Sequence, residues 1–224
     1  MSNIINADNG VVSGTPGIKY TADSSGIIQF QSSGNNSLLI DSSRYVSATV
    51  NGLGKGMFPA EQLYCLQTGY TGTQATTAQS VFGVGVTLVG STVYQFELNF
   101  FMSKSAGTTA HTISLGFGGT ATVNNIAYDG PTQYNTTNLT TGAPAFFYSN
   151  TTSATVFTSS ITSASTYTFT VMKGIVSINA GGTFIPQYTL SAAPGGAYTT
   201  AAGSYFKISP LGASGSNTSI GTWA

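Results

Sequence analysis

The sequence predicts an all-β protein, an antiparallel, jelly-roll-like β-sandwich preceded by an extended N-terminal arm. Three observations predict it. Short alternations of apolar and polar residues recur beyond residue 57, clusters of Gly, Pro, Asn, Asp and Ser punctuate them, and no stretch holds helical periodicity for three turns. Short strands at this spacing belong to sandwiches or barrels.

The chain divides into three parts. Residues 1–50 carry three of the four aspartates (Asp8, Asp23, Asp41) but only short apolar pieces such as Ile27-Ile28 and Leu38-Leu39-Ile40. A segment this poor in apolar side chains cannot bury enough area to fold alone, so it reads as an attachment arm that pairs with copies of itself or with another protein. Residues 51–56, NGLGKG, form a Gly-rich joint, and 57–224 form the sandwich domain.

Within that domain the clearest strand is 93–101, VYQFELNFF. Tyr94, Phe96, Leu98 and Phe100 point one way and Gln95, Glu97 and Asn99 the other. In 166–172, TYTFTVM, the same period sets Tyr167, Phe169 and Val171 as the apolar face against Thr166, Thr168 and Thr170. Further strands are expected at 62–67, 81–88, 111–117, 121–128, 145–149, 154–158, 174–179, 183–190, 204–209 and 219–223. Turns are expected at Ser105-Ala106-Gly107, Asp129-Gly130-Pro131, Ala180-Gly181-Gly182 and Ala193-Pro194-Gly195-Gly196.

Composition excludes several functions. Only 5% of the 224 residues are charged, six acidic and six basic, so no basic stripe exists to neutralise phosphates and nucleic acid is not an expected partner. One cysteine and one histidine exclude an intramolecular disulfide and a Cys/His metal cluster, and no metal or cofactor is expected. The N-terminus lacks the basic and apolar regions of a signal peptide, and no apolar run reaches 18 residues, so neither secretion nor membrane insertion is expected. Zero net charge leaves nothing to keep copies apart, which suits a protein whose purpose is assembly.

Catalytic chemistry finds little material. The domain holds three carboxylates, Glu61, Glu97 and Asp129, with none in the last 95 residues. Glu97 lies on the polar face of its strand, Glu61 begins one, and Asp129 precedes Gly130-Pro131 in turn chemistry. His111 shares parity with Ile113, Leu115 and Phe117, which makes it a half-buried histidine at a strand start, and no G-x-S-x-G elbow supplies a nucleophile. Cys65, in QLYCLQ, reads as a buried, inert thiol. The clusters Gly52–Gly56, Gly83-Val84-Gly85 and Gly116–Gly119 lack the spacing and following helix of phosphate-binding loops. Sequons at Asn35, Asn135, Asn138, Asn150 and Asn217 arise by chance in a chain holding 62 Ser and Thr. The protein is expected not to be an enzyme, with no catalytic, cofactor or metal residues.

Three features bear on recognition. In Phe146-Phe147-Tyr148 at least one ring faces away from the core of a strand, with burial on both sides as the ordinary outcome and a subunit contact or a displayed aromatic as the alternative. The segment 128–141, YDGPTQYNTTNLTT, reads as a long polar loop. Trp223 reads as locking a C-terminal strand into the fold or an interface.

The opening ADNGVVSGTPGIKYTADSSGIIQFQSSGNNSLLIDSS (7–43) resembles the N-terminal segments of tailed-bacteriophage virion proteins of the tail-fibre type. The segments PAEQLYCLQ (59–67), QSVFGVGVTLVGSTVYQFE (79–97), HTISLGFGGTATVNNIAY (111–128) and the stretch from INAGGTFIPQYTL (178–190) to the C-terminus are similar to a phage structural-protein module. The resemblance covers most of the chain and brings no catalytic residues. It implies a homotrimer, or another symmetric oligomer, on the virion surface, made in the bacterial host cytoplasm and attached to other virion proteins by the arm. Its role would be that of a tail-fibre-type appendage contributing to host attachment, with host surface polysaccharide as a partner. The alternatives are a head decoration protein that clamps the capsid, favoured by the absence of any shaft repeat, and a carbohydrate-binding module, which requires an exposed aromatic platform.

Overall fold

The structure, a computed structural model, describes residues 61–137, 144–215 and 217 with their side chains, and the backbone of strands at 28–32, 35–40, 46–49 and 55–57. It divides into two compact units, Met1–Phe58 and Pro59–Ala224.

The described residues of the first unit form four short strands, β1 (Ile28–Ser32), β2 (Asn35–Ile40), β3 (Val46–Thr49) and β4 (Lys55–Met57). Each pairs antiparallel with the next in a four-stranded meander. Where an extended arm is expected, these strands therefore pair with one another. Two residues of the expected joint, Lys55 and Gly56, belong to β4.

The second unit is all-β, with two antiparallel sheets packed face to face. Its strands are β5 (Gln62–Cys65), β6 (Tyr70–Thr71), β7 (Gln79–Ser80), β8 (Val86–Leu88), β9 (Thr92–Lys104), β10 (Ile113–Gly118) and β11 (Thr122–Asn135). There follow β12 (Ala145–Ser149), β13 (Thr155–Val156), β14 (Thr166–Ala180), β15 (Gly182–Leu190), β16 (Thr199–Thr200) and β17 (Tyr205–Ala213). The larger sheet runs β12-β11-β14-β9, and the far edge of β9 is shared by β17 and β16, which carry β5 and β6 in turn. The smaller runs β13-β10-β15, with β7 and β8 dividing the far edge of β15.

The core lies between these layers. Tyr94, Phe96, Leu98, Phe100 and Met102 of β9 meet Ile113, Leu115 and Phe117 of β10 and Phe184, Tyr188 and Leu190 of β15, all buried. The Phe117 and Phe184 rings stack at 4.7 Å, and Phe96 meets Phe117 edge-on at 5.2 Å. Offset and edge-on arrangements are those the ring quadrupoles favour. The alternation of β9 places its residues as the sequence predicts, because Gln95, Glu97 and Asn99 at alternate positions fix which face turns from the core.

Strand β14 departs from expectation in an instructive way. The period is right and the face is inverted: Thr166, Thr168 and Thr170 are fully buried, while Phe169 is exposed and Tyr167 and Val171 are half-buried on the outer surface. The segments 166–172 and 174–179 are one 15-residue strand, so a single parity governs both. Met172, Val176 and Ile178 fill the core, and the threonines follow them inward. Their hydroxyls find partners there. Thr168 Oγ1 donates to Met102 O at 3.3 Å, and Thr170 and Thr132 share a hydrogen bond of 3.1 Å.

Strand β11 also overrides its local signals. Asp129-Gly130-Pro131 is not a turn but the middle of a 14-residue strand, so 128–135 is not loop either. A Cβ at Gly130 would lie 2.0 Å from Val171 O, so glycine is required by the close approach of β14. Pro131, which has no N–H to donate, falls where the β11–β14 ladder has no paired residues between Asp129 and Thr132. The expected strand 81–88 is broken by Gly83, whose φ of 75° is accessible mainly to glycine, and pairing resumes at Val86. The expected strand 219–223 with Trp223, and residues 138–141 of the expected loop, lie outside the described residues.

Candidate functional site: a charge ladder on the outer sheet face

Six charged side chains belong to the second unit: Glu61, Glu97, Lys104, Asp129, Lys173 and Lys207. Five of them lie together on the outer face of the larger sheet. Register places Asp129 (β11) opposite Lys173 (β14), Lys173 opposite Glu97 (β9), and Glu97 opposite Lys207 (β17). Glu61, just before β5, adds the fifth. The signs alternate across the strands, one charge per strand, at the strand spacing of about 4.8 Å.

Neighbours in this ladder engage one another. Lys173 Nζ lies 3.8 Å from Glu97 Oε2, and Lys207 Nζ lies 3.7 Å from Glu61 Oε2. The Tyr205 hydroxyl donates to Glu97 Oε1, and this hydrogen bond to a carboxylate pushes the phenol above its usual range. Beside the ladder, Gln95 Nε2 donates to Ser209 Oγ at 3.2 Å. Glu97, Asp129, Lys173, Lys207, Gln95 and Ser209, with Ala127, Tyr148 and Ile175, line an open cleft of about 460 Å³ that Gly174, Phe96 and Tyr128 also border. The volume falls within the range of small-molecule sites.

Burial on both sides, the ordinary outcome expected at Phe146-Phe147-Tyr148, is not found. Phe147 packs on the core, its ring 6.0 Å from Tyr128 and 6.1 Å from Phe157, whereas Phe146 is 79% and Tyr148 62% exposed. Alternation along β12 leaves both rings on the ladder's face. Phe169 and Ile175 of β14 and Leu63 of β5 add exposed apolar area there, and Phe101 and Tyr167 meet at 6.2 Å on the same face.

The remaining candidate residues stand elsewhere. His111 is buried; its Nδ1 lies 2.7 Å from Thr109 O and its Nε2 2.8 Å from the Tyr198 hydroxyl. The carbonyl fixes the proton on Nδ1, so Nε2 accepts from tyrosine and neither nitrogen is free to act as a base. Burial, and then the nearby Lys104 charge, depress its pKa, partly offset by the Thr109 carbonyl. Cys65 is half-buried, its thiol 3.8 Å from Leu66 O. Lys104, the sixth charge, is 4% exposed, and its ammonium lies within hydrogen-bond distance of the carbonyls of Ala106, Gly107, Ser163 and Ala164.

Chemically the ladder supplies donors and acceptors without net charge along Asp129, Lys173, Glu97 and Lys207. Acid–base catalysis by a carboxyl pair needs one carboxyl kept protonated by desolvation. Here Lys173 stands between Glu97 and Asp129 in the register, so the two carboxylates are not adjacent in the row. Among the described residues no group of three His, Cys, Asp or Glu could hold a metal ion, and no helix is long and apolar enough to cross a membrane. No family model matches the chain, and no curated protein sequence matches it.

Proposed function

We propose that the chain is a non-enzymatic structural protein of a tailed-phage virion: an oligomeric β-sandwich displayed on the particle surface, held by its N-terminal segment, and serving as a tail-fibre-type appendage in host attachment. The observation that carries this reading is the distribution of charge. In a domain with six charged side chains, five form one row of alternating sign on an exposed face flanked by displayed aromatic rings. That face is built for contact: four of its five charges form two ion pairs, and its exposed rings are of the kind that anchor interfaces. The low overall charge and the resemblance of residues 7–43 to tail-protein N-termini support the same reading. Mass spectrometry of density-purified particles tests it. The reading predicts this chain as a stoichiometric component that stays with the particle in high salt; its absence from intact particles would sink it. Recovery with isolated heads instead of tails would make it a capsid-stabilising decoration protein.

Tyr148 beside the cleft favours one contact in particular, a neutral polysaccharide of the host envelope. A polyhydroxyl chain stacks on an exposed ring and exchanges hydrogen bonds with donors and acceptors set at strand spacing, and a row with three acidic and two basic side chains suits a neutral ligand better than a polyanion. Calorimetric titration of the protein with host envelope polysaccharide checks this. Y148A should weaken binding by about 1–3 kcal/mol, the scale for loss of an aromatic hot spot. Equal affinity of Y148A and the unaltered protein would remove the contact.

A further inference from the structure

We infer that β12 is a self-complementary edge, and that a second copy of this chain pairs with it antiparallel about a two-fold axis through Phe147. The inference deepens the oligomeric part of the proposed function and rests on that part alone, since it holds whether the protein sits on a tail, on a head or on neither.

The direction of the backbone groups carries it. Phe101 N–H donates to Ser204 Oγ at 3.1 Å and Phe101 C=O accepts from Ala201 N–H at 2.8 Å, so both turn away from β14. Backbone groups alternate sides along a strand, so those of Asn99 turn away as well. Asn99 lies opposite Val171, whose groups must therefore face β11. The pairs Asp129–Lys173 and Thr132–Thr170 keep one register, which sets Pro131 opposite Val171 with its carbonyl toward β14. Pro131 lies opposite Phe146. It follows that the N–H and C=O of Phe146, and of Tyr148 two residues on, point away from β11 to the open edge of the sheet. Among the described residues β12 pairs with β11 alone.

An edge of this kind pairs with its own copy. Centred on Phe147, antiparallel pairing sets Phe146 opposite Tyr148 of the second copy, and Tyr148 opposite its Phe146. Those are the residues whose backbone groups face outward, so each pair closes two hydrogen bonds and the contact makes four. The same pairs bring the two exposed rings of each copy face to face on the ladder side, where cross-strand aromatic pairs are favourable. Strand AFFYS carries no charge or proline of its own to block pairing, and the chain has no net charge to drive copies apart. Pro144, just before the strand, limits the contact to these five residues. A patch of this size belongs with small, reversible interfaces.

The register supplies its own test. The full chain and two double variants are compared by sedimentation velocity across a dilution series, with thermal unfolding as the check that each is folded. The unaltered protein should show a reversible doubling of mass. F146K/Y148K sets like charges opposite one another in both pairs and should weaken the doubling at least tenfold. F146K/Y148E sets opposite charges in both pairs and should retain it, with a dependence on salt that the unaltered protein lacks. No doubling in the unaltered protein, doubling undiminished in F146K/Y148K, or equal loss in both folded variants would each overturn the pairing. None of these outcomes bears on whether the chain is found in virus particles.

Discussion

Replacing Lys104 by methionine should destabilise the second unit by about 3 kcal/mol or more. The lysine ends β9 and is 4% exposed, with Nζ 3.3 Å from Ala106 O, 2.8 Å from Gly107 O, 2.5 Å from Ser163 O and 3.2 Å from Ala164 O. Its three N–H donors thus serve four carbonyls from two segments, tying the β9–β10 connection to residues 163–164. A hydrogen bond to a charged group contributes roughly 1.5–3 kcal/mol, so three donors contribute on the order of 4–9 kcal/mol in gross terms. Desolvating an ammonium costs several kcal/mol, and burial does depress the Lys104 pKa. Methionine removes that cost but leaves the carbonyls without their donor, and each buried acceptor left unsatisfied costs about 1–3 kcal/mol. Urea unfolding followed by tryptophan-independent far-ultraviolet circular dichroism reads the difference as a lower midpoint at unchanged slope. A loss under about 1 kcal/mol would mean that the carbonyls are satisfied without the lysine, and the staple would be refuted.

Other consequences follow from the same packing. The folded-state pKa of His111 is depressed, so the unfolded chain takes up a proton first. Stability is therefore fully present above the ordinary histidine pKa of about 6.5 and declines as pH falls below it. Unfolding midpoints from pH 7.5 to 5 should show that decline, and H111Q should flatten it; a flat profile in the unaltered protein would contradict the buried neutral imidazole. G130A forces a Cβ to 2.0 Å from Val171 O and should cost about 2–4 kcal/mol by the same urea assay, whereas tolerance would contradict the close approach of β11 and β14. The buried Tyr128 hydroxyl makes no hydrogen bond of normal geometry, although the Ser149 and Thr155 side chains stand near enough to offset part of the rise that burial gives its pKa, so Y128F should leave stability unchanged or raise it by about 1 kcal/mol. A loss above 1 kcal/mol would assign that hydroxyl a bond.

Much of this fold is legible along the sequence because one period suffices where one face is apolar and the other polar. Strand β9 is the clear case, with glutamine, glutamate and asparagine marking its outer side. Strand β14 is not legible in the same way. Threonine and the aromatic residues are all good strand formers, so the alternation of 166–172 reports the period and not the direction. The direction comes from Met172, Val176 and Ile178 further along one uninterrupted strand. Asp129-Gly130-Pro131 has the local chemistry of a turn, and tertiary contacts decide otherwise, since Gly130 is needed against Val171 and the missing Pro131 N–H falls at a gap in pairing. The displayed rings at Phe146 and Tyr148 are half legible: adjacent aromatics show that some ring must face outward, but not which. The ladder is the least legible feature. Glu61, Glu97, Asp129, Lys173 and Lys207 are spaced more than 30 residues apart, and only sheet order and register bring them into one row.

The central claim is that this is a contact protein displayed on a virus particle. Gold-labelled antibodies against the second unit, imaged on intact particles by electron microscopy, test it most directly. The account predicts label at the tail end. Particles without label, although the same antibodies bind the folded protein in solution, would contradict it.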